Sequence, residues 1–472
     1  MSTWDAVAVP RAPRRPDGAV DVLALARGCT DPVLLETAGT AGWHYLAVRS
    51  VGRIVDRGAG TELTTASGVE DLGADPFTAM ESLGERFGLH PDNRDRVPLD
   101  PGAGATPAFT GGLVGAWSYE LGRRIERVPS HALDDRGGAA MDLRLVDLVL
   151  ACPPDGGEPM LLHRPLGQPT PDLAALAGQL VARAKAPGDL KALSPQSAST
   201  SLPRHEHARA VRTVLEHIAA GNTFQVNVTG RLSAAFDGDV WELYRRLRLQ
   251  SPAAYGAVLP DLIDGTAIAS VSPETFVSAV GRDVVIRPIK GTRPRWQDAQ
   301  ADAAAALELQ ASPKDRAENV MVVDMERNDL GRVCVPGSVR VPELLSLEQH
   351  PTVWHLVSTV TGTLQDGVGW GELMRATFPC GSVTGAPKVR AMSVIDEVEP
   401  VRRGWYCGAV GFVSAGAMST SVTIRTAVLR PDGTADYGAG GGIVADSDPD
   451  QEWWETLDKA AAFLRAVGAS AP

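Results

Sequence analysis

The sequence predicts a mixed α and β fold whose strands pair antiparallel. Several strand-prone segments follow one another at hairpin spacing, not at the spacing of βαβ units. Helical apolar periods appear at Leu173 to Ala184 and at His205 to Ala220, so the chain is not all-β. With 472 residues, 44% of them apolar, the chain is long enough to bury a large core. At about 150 residues per domain that length suggests about three domains.

In chain order, TAGWHYLAVRSVGRIV (Thr40 to Val55) and LRLVDLVLAC (Leu143 to Cys152) are β-prone, and the helix at Leu173 to Ala184 follows. Between about Lys185 and Arg204 the chain gathers Pro, Ser, Ala and Gly with no apolar period, which reads as a linker over about 185–204. It separates an N-terminal region, 1–190, from a second region, 203–467. There Val211, Val214, Leu215 and Ile218 give a helix that Gly221-Asn222 stops before FQVNVTG returns to strand character. Further strands are expected at Ala267 to Val271, Phe276 to Val280, Val284 to Lys290, Val353 to Val360, Gly408 to Val413 and Val422 to Leu429. No internal repeat appears, which excludes a solenoid.

Charge and cysteine usage narrow the function. Lys and Arg total 45 against 57 Asp and Glu, a net charge of −12, so no broad basic surface tracks a phosphate backbone and nucleic-acid binding is not expected. Five scattered cysteines, Cys29, Cys152, Cys334, Cys380 and Cys407, form no CxxC or Cys/His cluster, which predicts a reduced, cytoplasmic protein. The first twenty residues set Arg11, Arg14 and Arg15 among prolines with no apolar centre, so no export signal is read there. No apolar stretch approaches the ~20 residues of a membrane span.

Three segments carry candidate chemistry. In SVSPETFVSAVGRDVVIRPIKGTRPR, a strand over Asp283 to Lys290 puts Val284, Ile286, Pro288 and Lys290 on one face. Gly291-Thr292 is expected to turn the chain next, and the turn Ser272-Pro273-Glu274 can bring a carboxylate near. A lysine snorkelling at a strand end is the alternative. In SPKDRAENVMVVDMERNDLGR, Ser312 is an N-cap and Pro313 the first helical residue. Glu318 then lies at the margin of an apolar run, in need of a metal or a base such as Arg316 or Arg327. In GAGGGIVADSDPDQEWWETLDK, Ser447 or Asp448 caps a helix begun by Pro449. Glu452, Glu455 and Lys459 share one stripe, which suits Mg²⁺ or, on a solvated face, a Glu455 to Lys459 ion pair.

Two elements favour anions. A glycine-rich loop in FPCGSVTGAPKVRAMSVIDEV runs into a helix near Pro387, so the amides of Thr384 to Ala386 point from a helix N-terminus. It is not a P-loop, because Lys388 stands three residues after Gly385. Gly440, Gly441 and Gly442 either expose amides to a carboxylate or form a flexible turn.

Together these segments resemble the chorismate-utilising enzymes, the family of anthranilate synthase component I, isochorismate synthase and aminodeoxychorismate synthase component I. The motifs are GNTFQVN, SPETF, PIKGTRPR, AENVMVVDMERNDLGR, HLVSTVTGTL, GSVTGAPK, YCGAVGF, SVTIRTAV, GGGIVADSDP and EWWETLDK, in family order from Glu206 to Leu464. LLETAG near Glu36 and FTGGLVGAWSYEL from Phe109 extend the likeness more faintly. The resemblance implies an α+β fold of large antiparallel β-sheets sandwiched with helices outside. PIKGT, with Lys290, is the aminodeoxychorismate synthase form, where the sister enzymes typically show alanine, and Gln225-Val226-Asn227 points the same way.

The resemblance also implies roles. Glu318, Glu452 and Glu455 would hold Mg²⁺ against the ring carboxylate of chorismate. Arg425, Tyr406 and the amides of Gly440 to Gly442 would take the pyruvyl carboxylate, Gly291, Thr292, Thr384, Gly385 and Lys459 would complete the anion site, and His355 would lie beside the ring. Lys290, as a neutral amine, would attack C2 of the ring while Glu274 protonates the leaving C4 hydroxyl. Ammonia would then displace the lysine by attacking C4. This needs a deprotonated Lys290, helped by burial, the ion and Arg287 or Arg293, and a protonated Glu274. No glutaminase segment is recognisable, so ammonia is expected from a separate glutamine amidotransferase subunit. Nor does any segment match the lyase that would release para-aminobenzoate, the folate precursor.

The sequence departs from the family at Thr275, in SPET for the usual SPER, and at Thr37, in LLET for LLES. The second lies where some members bind tryptophan, so tryptophan is a candidate ligand of the N-terminal half. The competing readings are anthranilate or isochorismate synthesis, and a non-catalytic chorismate-binding subunit.

Overall fold

The computed structural model describes residues 4–36, 42–93, 107–154, 156–350 and 353–472. Its core is one long, curled antiparallel strip. From one end the strands run Gln225–Ala235, Thr434–Ile443, Thr426–Leu429, Ala267–Ser272, Tyr255–Leu259, Val33–Glu36, His44–Asp56 and Met141–Cys152. They continue through Gly112–Trp117, Ala409–Ser414, Ala417–Val422, Thr275–Val280 and Asp283–Ile286 to Val353–Thr363. N-terminal strands thus occupy the middle of the strip, and both of its arms come from the second region. The stretch 185–204 is partly pinned, through Gln196–Ser197 on Ala469–Ser470 and Ser199–Thr200 on Leu232 and Ser233.

The arms face each other across an apolar layer containing Ala257 and Ile268 from one and Val410 and Phe412 from the other. Phe109 and Phe412 stack there at 4.7 Å, with Tyr45 edge-on to both at 5.8 and 5.6 Å. Each such ring pair adds about 0.5–1.5 kcal/mol beyond the area it buries. Helices cover the outer faces. Val240–Gln250 and Pro449–Val467 pack on one arm through Leu243, Leu247 and Phe463, and Pro313–Gly331 packs on the other through Val323 and Leu330. The helix-outside sandwich expected from the resemblance is therefore present. Among the described residues, no helix is long and apolar enough to cross a membrane.

Local signals place the helix ends correctly. Ser312 accepts from the amide of Asp315 with Pro313 in the first turn, and Asp448 accepts from the amides of Asp450 and Gln451 with Pro449 behind it. Expected strands are revised in two places. The segment Val284 to Lys290 is two strands, Asp283–Ile286 and Ile289–Pro294, because proline at 288 has no N–H to give the ladder. Gly291-Thr292 does not turn the chain; the strand runs on with a register shift between Ile289 and Thr292. The segment Val422 to Leu429 is broken at 423–425, where Arg425 takes a left-handed φ of 50°. A non-glycine residue held there costs on the order of 1–3 kcal/mol, which marks the position for a function.

Candidate active site

The two arms and the helices Pro313–Gly331 and Pro449–Val467 enclose a cavity of about 610 Å³. Lys290 enters from the shifted strand. Gly291 makes the shift with φ +86°, and a β-carbon there would stand 2.8 Å from Leu309 Cδ1. The extra residue breaks the pleat and leaves Lys290 facing the cavity, where Nζ donates to the Ser382 carbonyl oxygen at 2.8 Å. Arg287 and Arg293, expected to act on this amine, are instead committed to carboxylates, Arg287 to Glu348 and Arg293 to Glu308 and Asp315.

Glu274 lines the same cavity from its tight turn, in which the Ser272 hydroxyl accepts from the Glu274 amide at 3.2 Å. One carboxyl oxygen, Oε1, is buried and has no hydrogen-bond partner among the described residues. Burial pushes the carboxyl above its ordinary range, against the charge of Lys290 and hydrogen bonds from the Ser382 hydroxyl and the Ile289 amide. A buried acid inclined to keep its proton thus stands within electrostatic reach of an amine.

His355 is opposite Thr292 in the ladder, and its Nδ1 meets Thr292 Oγ1 at 2.9 Å. Burial, then the charges of His350 and Arg425, push it down to about 4 against a hydrogen bond with the Gly291 backbone, so it is a neutral ring at physiological pH. Arg425, aimed by its left-handed backbone, donates to Ser251 Oγ at 2.9 Å. Among the described residues it pairs with no carboxylate, which leaves a guanidinium on the cavity wall for an anion.

Tyr406 also lines the cavity, its ring lying on Gly438, where a β-carbon would be 2.2 Å from Tyr406 Cγ. Replacing Gly438 with alanine is expected to displace this ring and cost about 1–3 kcal/mol of stability. A shift in the denaturant midpoint measures it, and an unchanged midpoint would mean that the ring has room to move.

Gly440, Gly441 and Gly442 are not a flexible turn. They continue the strand Thr434–Ile443, paired with Thr229, Val228 and Asn227. Gly440 and Gly442 line the cavity, while a β-carbon on Gly441 would meet Glu452 Oε2 at 3.0 Å, Glu455 Oε1 at 3.4 Å and Lys459 Nζ at 3.7 Å. The bare strand lets that helix stripe approach closely. Lys459 donates to the Gly440 carbonyl oxygen at 2.9 Å.

Glu318 and Glu455 line the cavity, and Glu452 packs against Gly441 of the adjoining strand. Glu318 makes no ion pair with Arg316 or Arg327; Arg327 takes Asp324. Burial raises the Glu318 carboxyl, with Lys290 and Lys314 opposing and Asp315 and Glu455 adding. Burial also raises Glu452, whose Oε2 has no hydrogen-bond partner among the described residues although Ser447 donates to Oε1 at 2.7 Å. Burial works against Glu455 as well, but Lys459 at 2.7 Å outweighs it and holds this carboxyl low. Among the described residues, no three His, Cys, Asp or Glu side chains stand close enough together to hold an ion as they are. Positive charge comes from Lys459 at Glu455 and from Lys314, 3.9 Å from Glu452. Hard oxygen donors with one orphaned oxygen fit a small divalent cation such as Mg²⁺.

Thr384 and Gly385 do not line the cavity. The Thr384 carbonyl oxygen accepts from the Asn227 amide at 2.8 Å, Gly385 and Ala386 pair with Val226 and Gln225, and Lys388 turns away to Asp329. Sequence reasoning missed Ser382, which lies inside GSVTGAPK, receives Lys290 and faces Glu274. Glu36 is buried, with its carboxylate on the Tyr244 hydroxyl at 2.7 Å and Arg248 at 3.2 Å. Thr37 lies outside the described residues.

Known proteins share this architecture. A 38% identical relative, aminodeoxychorismate synthase component 1 of Salmonella typhimurium, aligns over 96% of this chain and 97% of its own. Anthranilate synthase component 1 of Streptomyces coelicolor is 40% identical over 84% of this chain and 78% of its own. The crystal structure of anthranilate synthase component I from Streptococcus pneumoniae, 29% identical, superposes with a TM-score of 0.77 over 95% of this chain and 99% of that one. Residues 45–465 match the family described as chorismate binding enzyme, and the chain belongs to that family.

Proposed function

We propose that the protein converts chorismate and ammonia to 4-amino-4-deoxychorismate, the aminodeoxychorismate synthase reaction that leads to para-aminobenzoate. Identity alone does not choose between this and anthranilate synthesis, since relatives with either name lie at 38–40%. The observation that carries the reading is the pair of Lys290 and Glu274 in one cavity, an amine and a proton-retaining acid joined through Ser382.

In the first half, Lys290 Nζ bonds to ring C2, both ring double bonds move one position toward C4, and the C4–O bond breaks. The hydroxyl leaves as water with the proton of Glu274. In the second half, ammonia bonds to C4, the double bonds return, and Lys290 departs as a neutral amine. Two displacements in place of one direct nitrogen to C4. Arg425 binds a substrate carboxylate, and neutral His355 and Tyr406 flank the ring. Glu318, Glu452 and Glu455 would hold Mg²⁺, which supplies positive charge for a dianionic substrate in a protein of net charge −12. Ammonia is delivered by a glutamine amidotransferase subunit, consistent with the component 1 in the relative's name. We place the reaction in the cytoplasm, where free thiols such as Cys380 and Cys407 stay reduced.

Incubation with chorismate, Mg²⁺ and ammonium, followed by mass spectrometry and chromatography, tests this reading. The 4-amino product is expected, with turnover lost in EDTA and restored by Mg²⁺. Ortho-aminobenzoate would instead make it an anthranilate synthase.

A further inference from the structure

The proposed reaction leaves an account open at Glu274. Water departs with its proton, and the new C4 amine, like other alkyl amines, stays protonated at neutral pH. Each turnover therefore leaves Glu274 as a buried carboxylate that needs a proton. Directly behind it lies a second acid that the mechanism does not use. Glu326, on the helix Pro313–Gly331, is fully buried, and among the described residues its Oε2 has no hydrogen-bond partner. An unpaired buried carboxyl is costly and calls for a reason.

The loop between the two acids supplies one. Cys380 Sγ stands 3.9 Å from Glu326 Oε1 and 3.2 Å from Ser382 Oγ, and Ser382 lines the same cavity as Glu274, whose carboxyl it influences. Gly381 leaves room for this approach, since a β-carbon there would be 3.0 Å from Glu326 Oε1. On its other side Glu326 faces Asp329, which is paired with Lys388 and with the half-exposed Arg332.

We infer that Glu326 is the proton reserve of the active site, recharging Glu274 through the Cys380 thiol and the Ser382 hydroxyl. The Glu326 O–H bond breaks and its proton passes to sulfur. The thiol proton passes to the Ser382 oxygen, and the hydroxyl proton passes to Glu274. Thiol and hydroxyl end unchanged, Glu326 ends as the carboxylate, and it regains a proton from water on the Asp329 and Arg332 side. The charged and titratable groups facing it agree with this storage role. Burial, Asp329 and Glu274 favour its protonated form, while Lys388 and the Gly381 amide oppose it. Cys380 is itself held as a thiol by burial and both acids. Glu326 is a positioning and proton-supplying residue that does not touch substrate, and its role rests on the proposed reaction.

Rapid-quench kinetics of the full chain with chorismate, Mg²⁺ and ammonium test the inference. Resting enzyme starts with Glu274 protonated, so E326Q should complete a first turnover within about twofold of the unaltered rate and then run about tenfold slower, a modest share of what positioned acids contribute. The expected trace is a burst of one product per site, and C380A should show the same burst should E326Q fold poorly. A steady state equal to the unaltered protein, or a first turnover slowed as much as the later ones, overturns the relay. Unaltered protein that makes no C4-amino product would instead overturn the reaction itself.

Discussion

Lys290→Ala is expected to lower formation of the C4-amino product by about a thousandfold or more, because it removes the nucleophile that divides the substitution into two steps. Folding should survive. The side chain is only partly buried, and its polar contact is the carbonyl oxygen of Ser382. Chorismate should therefore still bind, which a fluorescence or calorimetric titration can read while product analysis reads the loss. If the alanine variant kept the C4 product at more than a tenth of the original rate, Lys290 would be a packing residue.

Glu274→Gln carries the second large effect, a loss of about 10²–10⁴-fold in kcat, the usual contribution of a positioned acid. The amide keeps the shape and cannot donate a proton to the leaving oxygen. The sign of the pH dependence follows from the cause of the shift. Burial raises the Glu274 carboxyl, so the active, protonated form persists at pH values where an ordinary glutamate is ionised. Activity should fall as pH rises through that raised value, and the glutamine variant should lose this alkaline limb. Profiles of kcat for both forms settle the matter, and a limb that survives in the variant would belong to another group.

Much of the site was legible in the sequence because its signals are local. Ser312-Pro313 and Asp448-Pro449 announce their helices, and the spacing of Glu452, Glu455 and Lys459 puts three charges on one stripe whatever surrounds them. The Glu455 to Lys459 pair expected of a solvated face does form, yet Glu452 beside it is buried against Gly441. Which face of a helix meets which strand is a long-range fact. The breaks at Gly291 and Arg425 were missed for the same reason. Each depends on register against a partner strand, and alternation of apolar residues continues through it. Glu326 could have been noticed, since it falls one turn after Val322 and one before Leu330, on the stripe that faces the core. Ser382 gave no such sign. Its importance comes from three-dimensional proximity to Lys290 and Glu274, which lie about a hundred residues away in the chain.

The most direct measurement is peptide mass mapping of the protein acid-quenched during incubation with chorismate and Mg²⁺ in the absence of ammonia. A covalent route predicts the peptide containing Lys290 carrying the mass of chorismate less one water, released when ammonia is added. An unmodified Lys290 in a preparation that forms the C4-amino product once ammonia is supplied would contradict it.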